Sequence, residues 1–420
     1  MSLNSTPSAD RMHIGIFGKR NAGKSSIINA ITGQNLAIVS DVKGTTTDPV
    51  LKSMELLPLG PVVIIDTPGL DDESLLGPLR VQKAFQMLNK TDIAVLVIDC
   101  TAGVTKEDLL ILERIKSKEI PCVVAFNKAD LWGKTDTPGE IAPEALPAIP
   151  EDYLRQLESA GVAAGCCIAV STATEMNIYE LKELIAAQVT DPDKNRRIVG
   201  DLIHPSDFII LVVPIDSAAP KGRLILPQQQ TIRDILDTEA TAIVVKETGL
   251  KETLEQLGKK PALVITDSQA FEKVSKDVPP EIPLTSFSIL FARYKGNLKL
   301  AVNGAYALNE LEDGDTVLIS EGCTHHRQCD DIGTVKLPKW IRKYTGKILN
   351  FEFTSGTEFP QDLSKYRMVI HCGGCMLNDR EMNYRLKCAE DQGIPITNYG
   401  IAIAHMQGIL ERSTEMFLRS

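Results

Sequence analysis

The chain has 420 residues, 43% hydrophobic and 24% charged, with a net charge of −10. That length predicts two to four domains with ample core, and the acid excess argues against a broad nucleic-acid or anionic-membrane footprint. No apolar run reaches the roughly 18 residues that span a bilayer, and the opening MSLNSTPSAD lacks the charged and apolar regions of a secretory signal. A cytoplasmic protein with no membrane or nucleic-acid partner is expected.

From residue 11 to 190, a first domain is expected. The apolar runs IGIFG, VVIIDT, IAVLVIDC, CVVAFN and CIAVS alternate there with amphipathic stretches such as SSIINAIT and KEDLLILERIKS. Strands apolar throughout and separated by helices predict an α/β fold with a mainly parallel, doubly wound sheet. Between IGIF and SSIINAI the chain reads GKRNAGKS, the pattern G-x-x-x-x-G-K-S. Its glycines let the backbone curl so that N–H groups point at phosphate oxygens. Gly18, Asn21, Ala22, Gly23, Lys24, Ser25 and Ser26 are therefore expected to hold a nucleotide, with Lys24 on the β/γ-phosphates and Ser25 on Mg2+.

Asp66-Thr-Pro-Gly69 follows VVIID, where an acid can hold Mg2+ through water and the Gly69 N–H can meet the γ-phosphate. Asn127-Lys128-Ala-Asp130 ends CVVAF. A carboxylate at Asp130 accepts two hydrogen bonds from guanine N1–H and the 2-amino group, which adenine cannot supply. Ser171, Thr172 and Ala173, after CIAV, stand where a further base-contacting loop belongs. Together these motifs identify a GTP-binding domain.

A polar linker, TDPDKNRRIVGD, precedes a second expected domain, residues 195–272, with a short β-α-β-α-β pattern and no motif chemistry. The run KDVPPEIPL marks the break to a third, residues 275–420. Of nine cysteines, Cys100, Cys122, Cys166 and Cys167 lie in apolar strand-like runs and read as small buried hydrophobes. The rest fall near the C-terminus. GCTHHRQC supplies Cys323, His325, His326 and Cys329 after the strand TVLIS, and HCGGC supplies His371, Cys372 and Cys375 after YRMVI. In a reducing compartment such thiols are metal ligands or redox groups rather than disulfides. By spacing, zinc in a Cys3His site and an iron–sulfur cluster on three cysteines are equally served. A redox dithiol is less well served, because its motif should open a helix and lacks upstream ligands. Cys329 and Cys388 read as loop or core thiols, and His405 as a packed helical histidine.

On the nucleotide motifs, residues 11–190 resemble the TrmE/Era-like GTPases. The resemblance implies that Thr46, in the switch I segment GTTTD, is a second Mg2+ ligand beside Ser25, and that Lys24, Thr46, Asp66 and Gly69 carry catalysis. It also implies that Asn21 holds a potassium ion that stimulates hydrolysis. Leu70 stands where Ras-like enzymes place a water-orienting glutamine, so intrinsic hydrolysis is expected to be slow; Asp71, Asp72 and Glu73 are the acids nearest that position.

The GTPase motifs, a motif-free middle and C-x-H…H-C-x-x-C together resemble the [FeFe]-hydrogenase maturation GTPases over nearly the whole chain. That resemblance implies a [4Fe-4S] cluster on Cys323, Cys372 and Cys375, with His325 or His371 as the fourth ligand. It implies dimerisation through the middle domain, giving a homodimer or higher oligomer. It further implies a scaffold that receives a di-iron precursor from two radical-SAM maturases and passes it to apo-[FeFe]-hydrogenase. The alternative reading is a GTPase assembly factor with a structural zinc module.

Overall fold

The computed structural model describes residues 7–33, 50–67, 86–132, 147–189, 196–215, 224–322, 331–356 and 358–418. The chain forms two compact units, Met1–Pro192 and Asp193–Ser420.

The first unit contains β1 (Met12–Phe17), α1 (Lys24–Thr32), β2 (Val50–Leu56), β3 (Gly60–Asp66), β4 (Ile93–Asp99), α2 (Lys106–Ser117), β5 (Cys122–Asn127), α3 (Glu151–Ser159), β6 (Cys167–Ala169) and α4 (Ile178–Ala187). Its six-stranded sheet runs β2-β3-β1-β4-β5-β6. All neighbours are parallel except β2, which is antiparallel to β3. The strands read as continuous apolar runs because both faces are covered. Ile14, Ile16, Val95 and Val97 meet Ile27, Ile28 and Ile31 of α1 and Leu181 of α4 on one side. Leu96, Ile98 and Phe126 meet Ile111 and Ile115 of α2 and Leu157 of α3 on the other. Fully burying each such side chain contributes about 1.5–3 kcal/mol. The sequence reading missed β2. As an edge strand it carries Lys52, Ser53 and Glu55, is largely exposed, and so has no apolar run to betray it.

The second unit contains β7 (Phe208–Val212), α5 (Leu226–Asp237), β8 (Thr241–Val245), α6 (Leu250–Gln256), β9 (Leu263–Thr266), α7 (Phe271–Asp277), β10 (Leu284–Ser286), α8 (Phe287–Lys295), α9 (Leu298–Tyr306), β11 (Thr316–Ser320), α10 (Leu337–Thr345), β12 (Asn350–Thr354), β13 (Met368–His371), α11 (Asp379–Asp391), β14 (Ile396–Asn398), α12 (Tyr399–Met406) and α13 (Leu410–Leu418). These build two four-stranded sheets, β10-β9-β7-β8 and β12-β11-β13-β14. Every neighbouring pair is parallel.

The expected break between residues 272 and 275 does not fall between these sheets. The proline run ends at Pro283, and the next three residues form β10, which extends the first sheet by pairing with β9. A three-residue strand has no period to read. The sheets also share apolar packing: Leu250, Phe271 and Val274 lie in one cluster with Leu298, Ala301, Ile401 and Ala404.

Candidate functional site

In open parallel sheets, ligands bind beyond the carboxyl ends of strands, where the strand order reverses. In the first unit that point is β1, flanked by β3 and β4. The loop leaving β1 is GKRNAG, and α1 begins at Lys24. Gly23 takes φ +94, and a Cβ there would come within 2.1 Å of Asn127 Nδ2, so only glycine lets the loop lie against β5. Asn21 is also left-handed, at φ 61. The nearly buried Lys24 folds back over the loop, its Nζ donating to Gly18 O at 2.9 Å and Lys19 O at 2.7 Å.

Asp66 ends β3. Burial raises its carboxyl above the ordinary value, and the charges of Lys24 and Lys52 pull it part of the way back. A desolvated carboxylate at a strand end is stabilised by a cation, which suits a Mg2+ site. Thr67 Oγ1 donates to Ile16 O at 2.6 Å and fixes the exit of β3 against β1. Thr46, Gly69, Leu70, Asp71, Asp72 and Glu73 lie outside the described residues.

The loops expected to contact the base are tied to the loop expected to hold the phosphates. Asn127 Nδ2 donates to Ala22 O at 3.1 Å, and its Oδ1 accepts from Thr172 N at 3.4 Å and Thr172 Oγ1 at 3.3 Å. Asn127 therefore braces two loops. Ser171 Oγ donates to Asp130 Oδ1 at 2.7 Å and orients the carboxylate, while Ala173 is exposed. The sequence reading missed two supports. Asp99, paired in register with Asn127, accepts from Lys128 Nζ at 2.5 Å. Burial opposes its charge, but the hydrogen bonds from Lys128 and Thr101 win and hold the carboxyl below its usual value. Cys100 Sγ donates to Lys128 O at 2.9 Å, and burial pushes its thiol up to about 11, so it buttresses the loop as a neutral group. The DC pair ending β4 was the available signal. Cys122, Cys166 and Cys167 pack against the apolar cluster of the same face.

In the second unit, the thiol loops also leave carboxyl ends. β11 and β13 are neighbours, with Ser320 opposite His371. Cys372 N donates to Ser320 O at 3.0 Å, and Gly322 N donates to Cys372 Sγ at 3.0 Å. Gly374 takes φ +66, turning the chain between Cys372 and Cys375. His371 is buried, and burial pushes its imidazole down to about 4, so the ring is neutral. Its Nδ1 lies 2.5 Å from Cys372 O; a carbonyl only accepts, so Nδ1 carries the proton.

Around these loops the interior is polar. The fully buried Arg385 donates to Glu381 Oε1 from Nε at 3.1 Å and from Nη2 at 3.0 Å, and from Nη1 to Ser320 Oγ at 3.0 Å. Tyr399 OH donates to Glu321 Oε1 at 3.4 Å; burial, then the proximity of Cys372, Glu321 and Asp331, holds the phenol far above its usual range and protonated. Cys388 sits on α11, part-buried against an apolar cluster, and His405, also part-buried, packs against Tyr306 and Tyr344. Cys323, His325, His326 and Cys329 lie outside the described residues, and among the described ones no three His, Cys, Asp or Glu residues gather as a metal cage.

The fold and nucleotide loops define a P-loop GTPase domain, and a family model described as 50S ribosome-binding GTPase matches residues 13–128. The chain belongs to the hydrogen maturase F family, whose dimerization-domain model matches residues 198–296 and whose tetramerization-domain model matches residues 299–416. Among curated relatives, the tRNA modification GTPase MnmE of Chromobacterium violaceum is 40% identical over 124 residues, 29% of this chain and 27% of that protein. GTPase Der of Maridesulfovibrio salexigens is 38% identical over 133 residues, 30% of this chain and 29% of that protein. The chain thus spans under a third of these relatives' length. A solved structure of a single-substitution variant of Era from Aquifex aeolicus bound to GDP and AlF4− is 20% identical, with TM-score 0.35 over 56% of this chain and 92% of that one. Among the described residues no helix is long and apolar enough to cross a membrane.

Proposed function

We propose that the chain hydrolyses GTP and is the scaffold on which the active-site cluster of an [FeFe]-hydrogenase is assembled, holding a [4Fe-4S] cluster on Cys323, Cys372 and Cys375. One observation carries the cluster reading. The Gly322 N–H lies on Cys372 Sγ, so the residue immediately before Cys323 touches the second thiol loop. Cys372 and Cys375 lie in the loop that leaves β13, and Gly322 lies in the loop that leaves the neighbouring strand β11. Three soft donors with an N–H aimed at sulfur suit an iron–sulfur cluster, and family membership favours iron over zinc.

Three thiolates leave one iron with an exchangeable ligand, where a di-iron precursor, the cargo, can be bridged and later released. His325 or His371 takes the fourth position; His371 reaches it only through Nε2, since Nδ1 is committed to the Cys372 carbonyl. The partners are two radical-SAM maturases and the apo-hydrogenase, in the cytoplasm. The test is iron and sulfide quantitation with EPR on anaerobically purified protein. About four irons per chain and broad brown absorption are expected; a colourless zinc protein sinks the reading.

At the nucleotide site, Ser25 and Thr46 bind Mg2+ directly, Asp66 binds it through water, and Lys24 and the Gly69 N–H meet the phosphates. Asn21 holds K+, which stabilises transition-state charge in place of an arginine. Replacing K+ by Na+ is expected to slow hydrolysis by about 100-fold, the lower end of what losing one such stabilising group costs. Asn21→Ala should abolish the difference between the two ions; equal rates in wild type remove K+ from the mechanism.

Self-association rests on an edge. β8 (TAIVV) closes one side of its sheet, carries neither charge nor proline, and exposes 44% of Val244. Unpaired N–H and C=O groups on such an edge are a template for a second strand, and β8 lies within the match to the dimerization domain. Val244→Lys is expected to halve the mass seen by light scattering. An unchanged mass moves the dimer contact elsewhere.

A further inference from the structure

Lys295 is the last residue of α8 and is only 2% exposed. Burying a lysine costs several kcal/mol unless its head is satisfied and used, so the position demands an account that a Leu or Met would not. Its Nζ donates to Leu377 O at 3.1 Å. Leu377 closes the thiol turn, its N–H donating to Gly374 O at 3.0 Å. The Leu377 side chain lies against Gly322, the residue whose N–H contacts Cys372 Sγ. One lysine therefore pins the residue that touches both thiol loops.

The same helix reaches back to the other sheet. α8 starts on Ser286, the end of β10, whose Oγ caps it by accepting from Ile289 N at 3.3 Å. Lys295 falls within the match to the dimerization domain and Leu377 within the match to the tetramerization domain. The lysine thus ties the carboxyl edge of one sheet to the thiol loop of the other.

We propose that Lys295 is a positioning residue for the thiolate set: it holds the Cys372–Leu377 turn in its binding shape and places a positive charge beside the cluster. This rests on the assignment of a cluster to Cys323, Cys372 and Cys375. Leu377 is two residues from Cys375, at most about 7 Å along the chain. Three thiolates outweigh the charge of an oxidised cluster core, and each added electron deepens the deficit. A buried cation held 3.1 Å from the Leu377 carbonyl favours retention and the reduced state.

The test compares Lys295→Met, Lys295→Gln and Lys295→Arg with wild type in the full chain. Three readouts are taken: iron and sulfide after anaerobic reconstitution, the midpoint of the cluster by EPR-monitored titration, and thermal unfolding of the metal-free protein. Lys295→Met, which removes donor and charge, should lose at least half of the reconstituted iron. Lys295→Gln keeps a donor for Leu377 O, so it should retain iron but lower the reduced-to-oxidised ratio at fixed potential about tenfold, a shift of 59 mV for one electron. Lys295→Arg should stay near wild type. If Lys295→Met does not fold, the Gln and Arg variants decide. Wild-type iron content and midpoint in folded Met and Gln variants overturn the proposal, and so does lowered thermal stability with an unchanged midpoint. A wild type that takes up no cluster fails the cluster assignment by itself, whatever the variants do.

Discussion

Asp130→Asn should lower the affinity for GTP by about 10^4-fold and confer binding to xanthosine triphosphate. A site built to hydrogen-bond a ligand rejects an unmatched partner by about that factor, because its buried polar groups are left unpaired. The carboxylate offers acceptors to both guanine N1–H and the 2-amino group. An asparagine amide presents an –NH2 where one acceptor stood, so two donors face each other. Xanthine carries a carbonyl in place of the 2-amino group and meets that –NH2 correctly. The fold should survive, since the Ser171 hydroxyl that donates to Asp130 Oδ1 at 2.7 Å can donate equally to an amide oxygen. Equilibrium binding of both nucleotides measures the exchange. Undiminished GTP binding, or no gain for xanthosine triphosphate, would remove Asp130 from base recognition.

The loops expected to bind the nucleotide were legible in the sequence because their motifs follow backbone demands. Gly23 is required where the loop presses on Asn127, and each remaining motif comes directly after an apolar strand. Residues acting through tertiary contacts were not legible. Asp99 and Cys100 support the Asn127–Asp130 loop only because β4 and β5 are parallel neighbours in one register. In the second unit, Arg385 and Lys295 belong to no motif in the sequence. Packing alone buries them, the first in an ion pair with Glu381 and the second on the Leu377 carbonyl. β2 and β10 escaped for the converse reason: one is an exposed edge and the other is three residues long.

The expected break near residue 273 shows the same limit from the side of composition. A run rich in proline and charge looks like a linker, yet Ile282 and Leu284, on either side of Pro283, are buried in the cluster shared by both sheets. After the prolines come β10 and then α8, the helix that reaches the thiol turn. The motif-free middle of the chain thus contacts the Cys372–Leu377 turn, which spacing of cysteines alone does not reveal.

Cys372→Ala should abolish cluster binding while leaving GTP hydrolysis within about twofold of wild type. Losing a thiolate leaves two protein sulfurs, too few to hold the cluster against exchange with solvent. The substitution also strands the Gly322 N–H, which now donates to Cys372 Sγ at 3.0 Å. An unsatisfied buried donor costs about 1–3 kcal/mol, so the metal-free protein should melt a few degrees lower. Hydrolysis is spared because Lys24, Asp66 and Asp130 belong to the other compact unit. Cys388→Ala is the matched control. Its thiol lies on α11 beside Gln361 O at 3.6 Å and packs against the apolar cluster around Phe359 and Leu386, so iron content should not change. Iron and sulfide counts on the two variants separate the cases. Retention of the cluster by Cys372→Ala would dismiss the three-thiolate assignment, and loss of it in Cys388→Ala would show that iron is held by a different set of sulfurs.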